Sequence, residues 1–216
     1  MIVSMWMTRD LVTIAPETPV SEAAALMARK RVRRLLVVQN QQNDTHLLGI
    51  VSATDILRAF PLDVNPFAVV PPDFRQAPHA VTEIMKRHVQ TTTPETPVET
   101  AAVAMQGGEI GALPVLRAGK LVGIITESDI FRAFVSVFQT QGRGARITFD
   151  ASKNEDVFDL IAQFARRDGV RVRSLISTLQ EQQPVCVVRV EGPGVDEMLD
   201  DLWRSGHLVL NVLRFD

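Results

Sequence analysis

The chain has 216 residues, a formal net charge of -2 and 46% hydrophobic residues, which are ordinary values for a globular protein. The near-neutral charge argues against a general nucleic-acid binder, because such proteins carry a surplus of Lys and Arg. The single cysteine, Cys186, excludes an intrachain disulfide and a zinc site built from several thiolates. The sequence contains neither a membrane-spanning apolar run nor a secretory signal pattern, so we expect a cytoplasmic protein.

Two blocks of sequence recur in the same order. The segment MTRDLVTIAPETPV, from Met7, returns as MKRHVQTTTPETPV from Met85, with 8 of 14 residues identical at an offset of 78. The segment GIVSATDILRAF, from Gly49, returns as GIITESDIFRAF from Gly123, with 7 of 12 identical at an offset of 74. Matched blocks in one order predict two copies of a single structural unit.

Each copy predicts the element order β-α-β-β-α. The first copy predicts strands over residues 11–14, 35–38 and 47–51, with helices from Thr18 and Thr54. The second copy predicts strands over residues 89–92, 113–116 and 121–125, with helices from Thr96 and about Ser128.

Both copies carry start signals for their first helix. Pro19 and Pro97 are predicted at the first helical position, where the missing N–H of proline has no cost. Thr96 and Glu99 have the spacing of a capping box.

This pattern resembles a tandem pair of CBS domains, also called a Bateman module. The family's Met-Thr start is present at Met7-Thr8, its Leu-Pro-Val strand at 113–115, and its G-h-h-[ST]-x-x-D motif at 49–55 and 123–129. Two positions depart from the family, because Leu36 replaces a proline and Lys86 replaces the second Thr. The resemblance implies CBS units at 1–60 and 81–138 that form one module and bind an adenosine compound between them. The proline-rich stretch 61–80 is predicted to be an extended connector.

The [ST]-x-x-D motifs suggest how a nucleotide could be held. A Ser or Thr that ends a strand and opens a helix offers a hydroxyl beside free backbone N–H groups, which favour a phosphate. The Asp one turn later can accept hydrogen bonds from ribose hydroxyls. The alternative is that these side chains only cap their helices.

The predicted ligand residues form two sites, one in each copy. The residues predicted to contact adenine are those that the resemblance implies. The first site is predicted to contain Thr13, Ile14, Arg33, Leu35, Leu36, Ser52 and Asp55. The second site is predicted to contain Thr91, Thr92, Leu113, Pro114, Thr126 and Asp129. If only one of the two sites binds a nucleotide, we expect it to be the second, because Thr126 and Pro114 fit the family pattern more closely.

A basic cluster precedes the second strand of the first copy and has no counterpart in the second copy. It consists of Arg29, Lys30, Arg31, Arg33 and Arg34. One interpretation is a solvated helix end whose cations offset the helix dipole. The other is that Arg33 or Arg34 reaches the ligand phosphates, in which case the first site would prefer the more anionic ligand.

The last third predicts a separate unit. Glycines within 139–144 indicate a hinge, and residues 145–216 predict the order βαββαβ of a ferredoxin-like fold. This order is similar to an ACT-like domain, and a CBS pair followed by such a domain resembles regulatory proteins of the acetoin-utilisation AcuB type. The overall fold class is therefore α+β. We expect this unit to dimerise rather than bind an amino acid, because its first loop lacks the usual Pro-Gly sequence.

Further expectations concern single residues of this unit. Ser152 and Glu155 are predicted to form a capping box at its first helix. Trp203 is predicted to lie in the core, and Cys186 to be a buried, unreactive thiol.

The leading functional hypothesis is a regulatory protein that binds AMP, ADP, ATP or a related adenosyl ligand and signals to the ACT-like unit or to a partner enzyme. The alternative is a homodimeric interaction module without a ligand. Catalysis is not expected, because the sequence offers no nucleophile–base pair, no metal cluster and no catalytic cofactor motif. We expect no metal and no nucleic-acid or membrane partner.

Overall fold

The computed structural model describes residues 1–41, 44–59, 79–138, 144–153 and 156–215. The chain divides into two compact units, Met1–Ala133 and Phe134–Asp216. The predicted connector lies outside the described residues except at 79–80, and the predicted hinge lies outside them except at Gly144.

The first unit contains two copies of the predicted fold, which confirms the paired architecture. The first copy consists of β1 (Thr13–Ile14), α1 (Val20–Lys30), β2 (Arg34–Gln41), β3 (Asp44–Ser52) and α2 (Ala53–Ala59). The second copy consists of α3 (Val98–Gly107), β4 (Ala112–Arg117), β5 (Lys120–Thr126) and α4 (Glu127–Phe138), of which α4 continues into the second unit. In the first copy β1 is parallel to β2, and β2 and β3 form an antiparallel hairpin, as do β4 and β5 in the second.

The strand predicted at 89–92 is reduced to a single parallel bridge between Thr92 and Val115. In the first copy the N–H of Leu36 donates to the carbonyl of Val12 over 3.4 Å and extends the pairing. The equivalent position in the second copy is Pro114, which has no N–H to donate. The second copy therefore loses one hydrogen bond of the ladder, and its first strand is shorter.

The first helices begin one residue later than the sequence predicted. Pro19 and Pro97 occupy the N-cap, and neither helix has a side-chain cap. The predicted capping box of Thr96 and Glu99 is wrong. The extended ψ of 140° at Pro97 keeps Thr96 outside the helix, and its Oγ1 instead lies 2.8 Å from that of Thr93.

The segments that precede the two copies are exchanged between them. Val3 and Met7 are buried in the hydrophobic core of the second copy, whereas Val81 and Met85 are buried in the core of the first. Each segment thus completes the other copy, so the predicted boundaries at 1–60 and 81–138 do not separate two self-contained units.

Two antiparallel bridges tie the exchanged segments to the hairpins. Thr8 pairs with Ile124, and Lys86 pairs with Ile50. A Cβ at Gly49 would lie 2.8 Å from the carbonyl oxygen of Lys86, which is closer than real Cβ contacts allow. The glycine that opens the G-h-h-[ST]-x-x-D motif is therefore required by the close approach of the exchanged backbone.

The second unit has the predicted βαββαβ order. Its elements are β6 (Gly144–Asp150), α5 (Val157–Arg167), β7 (Arg171–Gln180), β8 (Gln183–Glu191), α6 (Val195–Arg204) and β9 (Val209–Phe215). The strands pair antiparallel in the order β7-β8-β6-β9, which is the ferredoxin-like arrangement, and both helices pack on one core with the sheet. The α+β fold class is confirmed.

Two expectations for this unit are wrong and one is confirmed. Asp156 caps α5 by accepting hydrogen bonds from the N–H groups of Phe158 and Asp159, so Ser152 is not the cap; the predicted partner at position 155 lies outside the described residues. Trp203 is 55% exposed, because it lies at the margin of a stripe whose other residues fill the core. Cys186 is buried, as expected, and burial raises the pKa of its thiol to about 11.

The close approach at Gly49 predicts a specific loss of stability. We expect Gly49→Ala to lower the free energy of unfolding by about 1–3 kcal/mol, because the added methyl group must displace the backbone of Lys86. Gly107→Ala is the matched control, since nothing lies within 4 Å of a Cβ at that helical position. Urea denaturation measures both variants, and equal effects would contradict the proposed packing.

Candidate functional site

The first [ST]-x-x-D motif is a reciprocal helix cap. β3 ends at Ser52 and α2 begins at the next residue. The Oδ2 atom of Asp55 accepts hydrogen bonds from the N–H and hydroxyl of Ser52 over 2.8 and 2.6 Å. The N–H of Asp55 donates back to the Ser52 hydroxyl over 3.2 Å. Among the described residues, Oδ1 of Asp55 has no hydrogen-bond partner, so this oxygen can accept a bond from a ligand.

The second motif repeats this cap but uses both oxygens of its carboxylate. Oδ2 of Asp129 accepts from the N–H and hydroxyl of Thr126 over 2.8 and 2.7 Å. Oδ1 of Asp129 is paired with Arg132, and the residue is only 4% exposed. The capping interpretation thus holds for both motifs, and of the two aspartates Asp55 alone keeps an oxygen without a partner within the described part of the chain.

Two cavities lie between the copies of the first unit. The small cavity, of about 220 Å³, is lined by Thr8, Asp10, Leu11, Val12, Arg31, Val32, Arg33, Arg34, Leu36, Ile124, Thr126, Ser128 and Asp129. The large cavity, of about 520 Å³, is lined by Arg33, Arg34, Ile50, Ser52, Ala53, Thr54, Asp55, Arg58, Lys86, His88, Val89, Gln90, Gly108, Glu109, Ile110, Gly111 and Ala112. Of these two cavities, only the large one falls within the 300–1,000 Å³ that is usual for ligand sites.

The cavities group the predicted site residues differently from the prediction by copy. The motif pair Thr126 and Asp129 faces the first copy's Leu36 in the small cavity, whereas Ser52 and Asp55 face the second copy's stretch 108–112 in the large cavity. The reason is the exchange of the preceding segments, which brings each helix start against the other copy.

Seven of the thirteen predicted ligand residues line neither cavity. These are Thr13, Ile14, Leu35, Thr91, Thr92, Leu113 and Pro114. Leu35 and Leu113 instead belong to the hydrophobic cores of their copies. Their role as adenine contacts is not supported by this geometry.

The large cavity is rich in cationic side chains. Arg33, Arg34, Arg58 and Lys86 line it, and Asp55 and Glu109 are its acidic residues. Lys86 enters the sequence prediction only as a departure from the family, and Arg58 is not among the predicted site residues. A signal for Arg58 was present, because an arginine follows both motif aspartates by three residues, at 58 and 132.

Burial and neighbouring charges both affect the guanidinium of Arg34. Burial lowers the pKa of its guanidinium, the attraction of Glu127 opposes this shift, Arg33 adds to it by repulsion, and Asp55 opposes it. The group stays protonated at neutral pH, because its ordinary pKa lies far above 7. A half-buried permanent cation beside Asp55 suits the recognition of a phosphate.

Other kinds of site find less support in the described part of the chain. No three His, Cys, Asp or Glu residues lie together there in a way that could hold a metal ion. None of its helices is both long enough and apolar enough to span a bilayer.

A family model for the CBS domain matches residues 3–62 and 81–136, which together are more than half of the chain. The curated homoserine O-acetyltransferase of Methanohalobium evestigatum is 31% identical over 131 residues, which are 60% of this chain and 23% of that enzyme. The chain therefore spans less than a quarter of the length of that relative.

Solved structures of CBS proteins are similar over almost their full length. CBSX2 in complex with AMP is 28% identical with a TM-score of 0.53, over 64% of this chain and 98% of its own. The CBS domain pair of protein MJ0100, in complex with 5'-methylthioadenosine and S-adenosyl-L-methionine, is 26% identical with a TM-score of 0.51, over 63% and 97%. A Vibrio cholerae protein named for acetoin utilization (AcuB) is 29% identical with a TM-score of 0.52, over 64% and 93%.

The buried cap at Asp129 predicts a structural cost of its removal. We expect Asp129→Ala to lower the free energy of unfolding by about 1–3 kcal/mol, because the N–H of Thr126 loses its acceptor. Asp10→Ala, an exposed residue of the same cavity, should change it by less than about 0.5 kcal/mol. Chemical denaturation compares the two, and a neutral Asp129→Ala would show that the cap contributes nothing.

Proposed function

Because the chain belongs to the CBS domain family, we propose that its first unit is a regulatory module that binds an adenosine-containing ligand between the two copies. The observation that carries this proposal is the large cavity, in which a free carboxylate oxygen of Asp55 lies among four cationic side chains. The complexes of CBSX2 with AMP and of MJ0100 with adenosyl compounds support the ligand class.

The side chains of the large cavity suit the three parts of a nucleotide. Oδ1 of Asp55 would accept hydrogen bonds from the ribose hydroxyls. Arg33, Arg34, Arg58 and Lys86 would neutralise the phosphates, with the arginines able to bind in the bidentate mode. The apolar side chains of Ile50, Val89 and Ile110 would contact the adenine. The sequence favours the second predicted site, with Thr126 and Asp129. The smaller volume of the small cavity and the engaged carboxylate of Asp129 favour the large cavity instead.

The proposed role is regulation rather than catalysis. The match to homoserine O-acetyltransferase covers only 23% of that enzyme, so its activity is not transferred to this chain. A ligand can shift a conformation only by its different affinity for two states. A site built from both copies meets this condition, because any rearrangement of the copies changes its walls. The response would pass to the second unit or to a partner enzyme, and the likeness to AcuB supports acetoin utilisation as the regulated process.

We also propose that the second unit forms a homodimer. β9 is an edge of its sheet and carries exposed leucines at 210 and 213, and Leu208, which directly precedes it, is also exposed. An edge strand with exposed apolar side chains favours pairing with another chain. The predicted ACT-like character of this unit agrees with such a role and stays a prediction.

The ligand proposal predicts selective stabilisation. AMP, ADP, ATP, NAD and S-adenosylmethionine are compared by thermal unfolding, and a binder at 100 times its Kd should stabilise the protein by about 2.7 kcal/mol. Asp55→Ala should weaken binding about tenfold or more through the lost hydrogen bonds to a charged acceptor, and Glu95→Ala, outside both cavities, should not.

The same titration tests which ligand each cavity prefers. In Asp129→Ala the large cavity remains intact, and in Asp55→Ala the small cavity remains intact. The ratio of ATP affinity to AMP affinity should be higher for the large cavity than for the small one. Equal preferences would refute this assignment. No stabilisation by any of the five compounds at millimolar concentration would contradict the module's proposed function and favour a ligand-free interaction module.

The dimer proposal predicts different effects at the two edges of the sheet. Leu210→Lys should shift the mass measured by light scattering from dimer to monomer, because a charge would enter the proposed interface. Leu179→Lys, at an exposed leucine of the opposite edge strand β7, is the control and should leave the dimer intact. A monomeric wild-type protein would overturn the proposal.

A further inference from the structure

One pair of side chains belongs to both cavities. Among the described residues, Arg33 and Arg34 are the only ones that line the small cavity and the large cavity alike. Arg33 also reaches across to the second copy, where its Nη2 lies 3.5 Å from the hydroxyl of Ser128 in the small cavity. The two arginines therefore form a shared wall between the candidate sites.

The second copy supplies no equivalent pair. Arg34 pairs with Ser52 at the end of its hairpin, and the residue at the same register of the other hairpin is Ala112, opposite Thr126. Arg33 likewise corresponds to Gly111. Two cavities related by an internal repeat thus share Arg33 and Arg34, whereas Arg58 and Lys86 line only the large cavity and Arg31 lines only the small one.

Arg34 lies near carboxylates that belong to different copies. Its guanidinium lies where Gly111 has no side chain, since a Cβ there would be 3.0 Å from Cζ and would also collide with the carboxylate of Glu127. Glu127 lies in the first turn of α4, and Asp55 lies in the large cavity. Both attract the guanidinium. Glu127 therefore competes with any anionic ligand for this cation.

We propose that Arg33 and Arg34 couple the two cavities, so that a phosphate-bearing ligand in one weakens the binding of a second in the other. This inference rests on the proposed nucleotide-binding function. A guanidinium whose N–H groups donate to the phosphate in one cavity cannot donate to a phosphate in the other. Two anions on either side of one wall also repel each other. A neutral ligand such as adenosine has no phosphate for the arginines to bind, so its two binding events are independent.

The coupling is measured by calorimetric titration of AMP and adenosine into the wild-type protein, Asp55→Asn and Asp129→Asn. Each variant weakens binding in one cavity, through loss of the Asp55 acceptor in the large cavity or of the Asp129 cap that shapes the small one. Its tighter affinity is then that of the other cavity with its neighbour empty. We expect the second AMP bound by the wild type to bind at least about fivefold more weakly than the same cavity binds AMP in the matching variant. Because coupling is reciprocal, this holds whichever cavity fills first. For adenosine the two affinities should agree within about twofold.

Two further variants test the assigned residues. The double variant R33A/R34A should abolish the fivefold difference for AMP, whereas Arg117→Ala, whose arginine pairs with Glu95 outside both cavities, should retain it. Glu127→Gln keeps the arginines and removes their competitor. It should therefore raise the affinity for AMP but not for adenosine, which supplies a test that does not depend on the folding of the double variant.

The outcomes separate the two proposals. A wild-type protein that binds neither AMP nor adenosine overturns the proposed function and the coupling with it. Two AMP molecules that bind with the affinities of the single-cavity variants overturn the coupling alone. One AMP bound by the wild type and one by each variant is the strongest form of the expected coupling. One AMP bound by the wild type and none by one of the variants contradicts the inference, because only one cavity then takes the ligand. An unchanged AMP affinity in Glu127→Gln also contradicts it.

Discussion

The exchange of the segments that precede the two CBS copies is the constraint on which the first unit depends. Val3 and Met7 lie in the core of the second copy, and Val81 and Met85 lie in the core of the first. Neither copy can bury its apolar surface without the other, so the pair is the folding unit. The motif glycines are part of this constraint, since the exchanged backbone passes Gly49 at a distance that admits no side chain.

The exchange also explains why each cavity has walls from both copies. The bridges Thr8–Ile124 and Ile50–Lys86 tie each exchanged segment to the hairpin of the other copy. The start of each second helix then faces the other copy, and residues brought from there complete the site. A ligand in such a cavity contacts both copies at once and can bias their arrangement, which is what a regulatory module requires.

Two copies of one motif have acquired different chemistry through their surroundings. Asp129 is buried and engaged by Thr126 and Arg132, whereas Asp55 caps its helix with one oxygen and keeps the other available. Arg33 and Arg34 have no cationic equivalent across the repeat, which concentrates positive charge on one wall. The symmetry of the fold is therefore broken by a few side chains, and the proposed ligand preference and coupling rest on these residues.

The sequence by itself determined the repeat and the element order of the three units, apart from the first strand of the second copy, because both depend on local spacing and periodicity. It also identified Arg33 and Arg34 as candidate phosphate contacts, since the charge of a residue follows from its type and does not depend on the fold. Only the tertiary structure decided which copy contributes to which cavity, because the exchange of segments leaves no local signature. The same reason explains why Leu35 and Leu113, which were predicted as adenine contacts, lie in the hydrophobic cores. An apolar strand has the same sequence pattern whether it faces a core or a cavity, and its packing decides between the two. The structure likewise decided that Asp156 caps α5 and that Trp203 is exposed, since both depend on the residue at which each helix begins and turns toward its sheet.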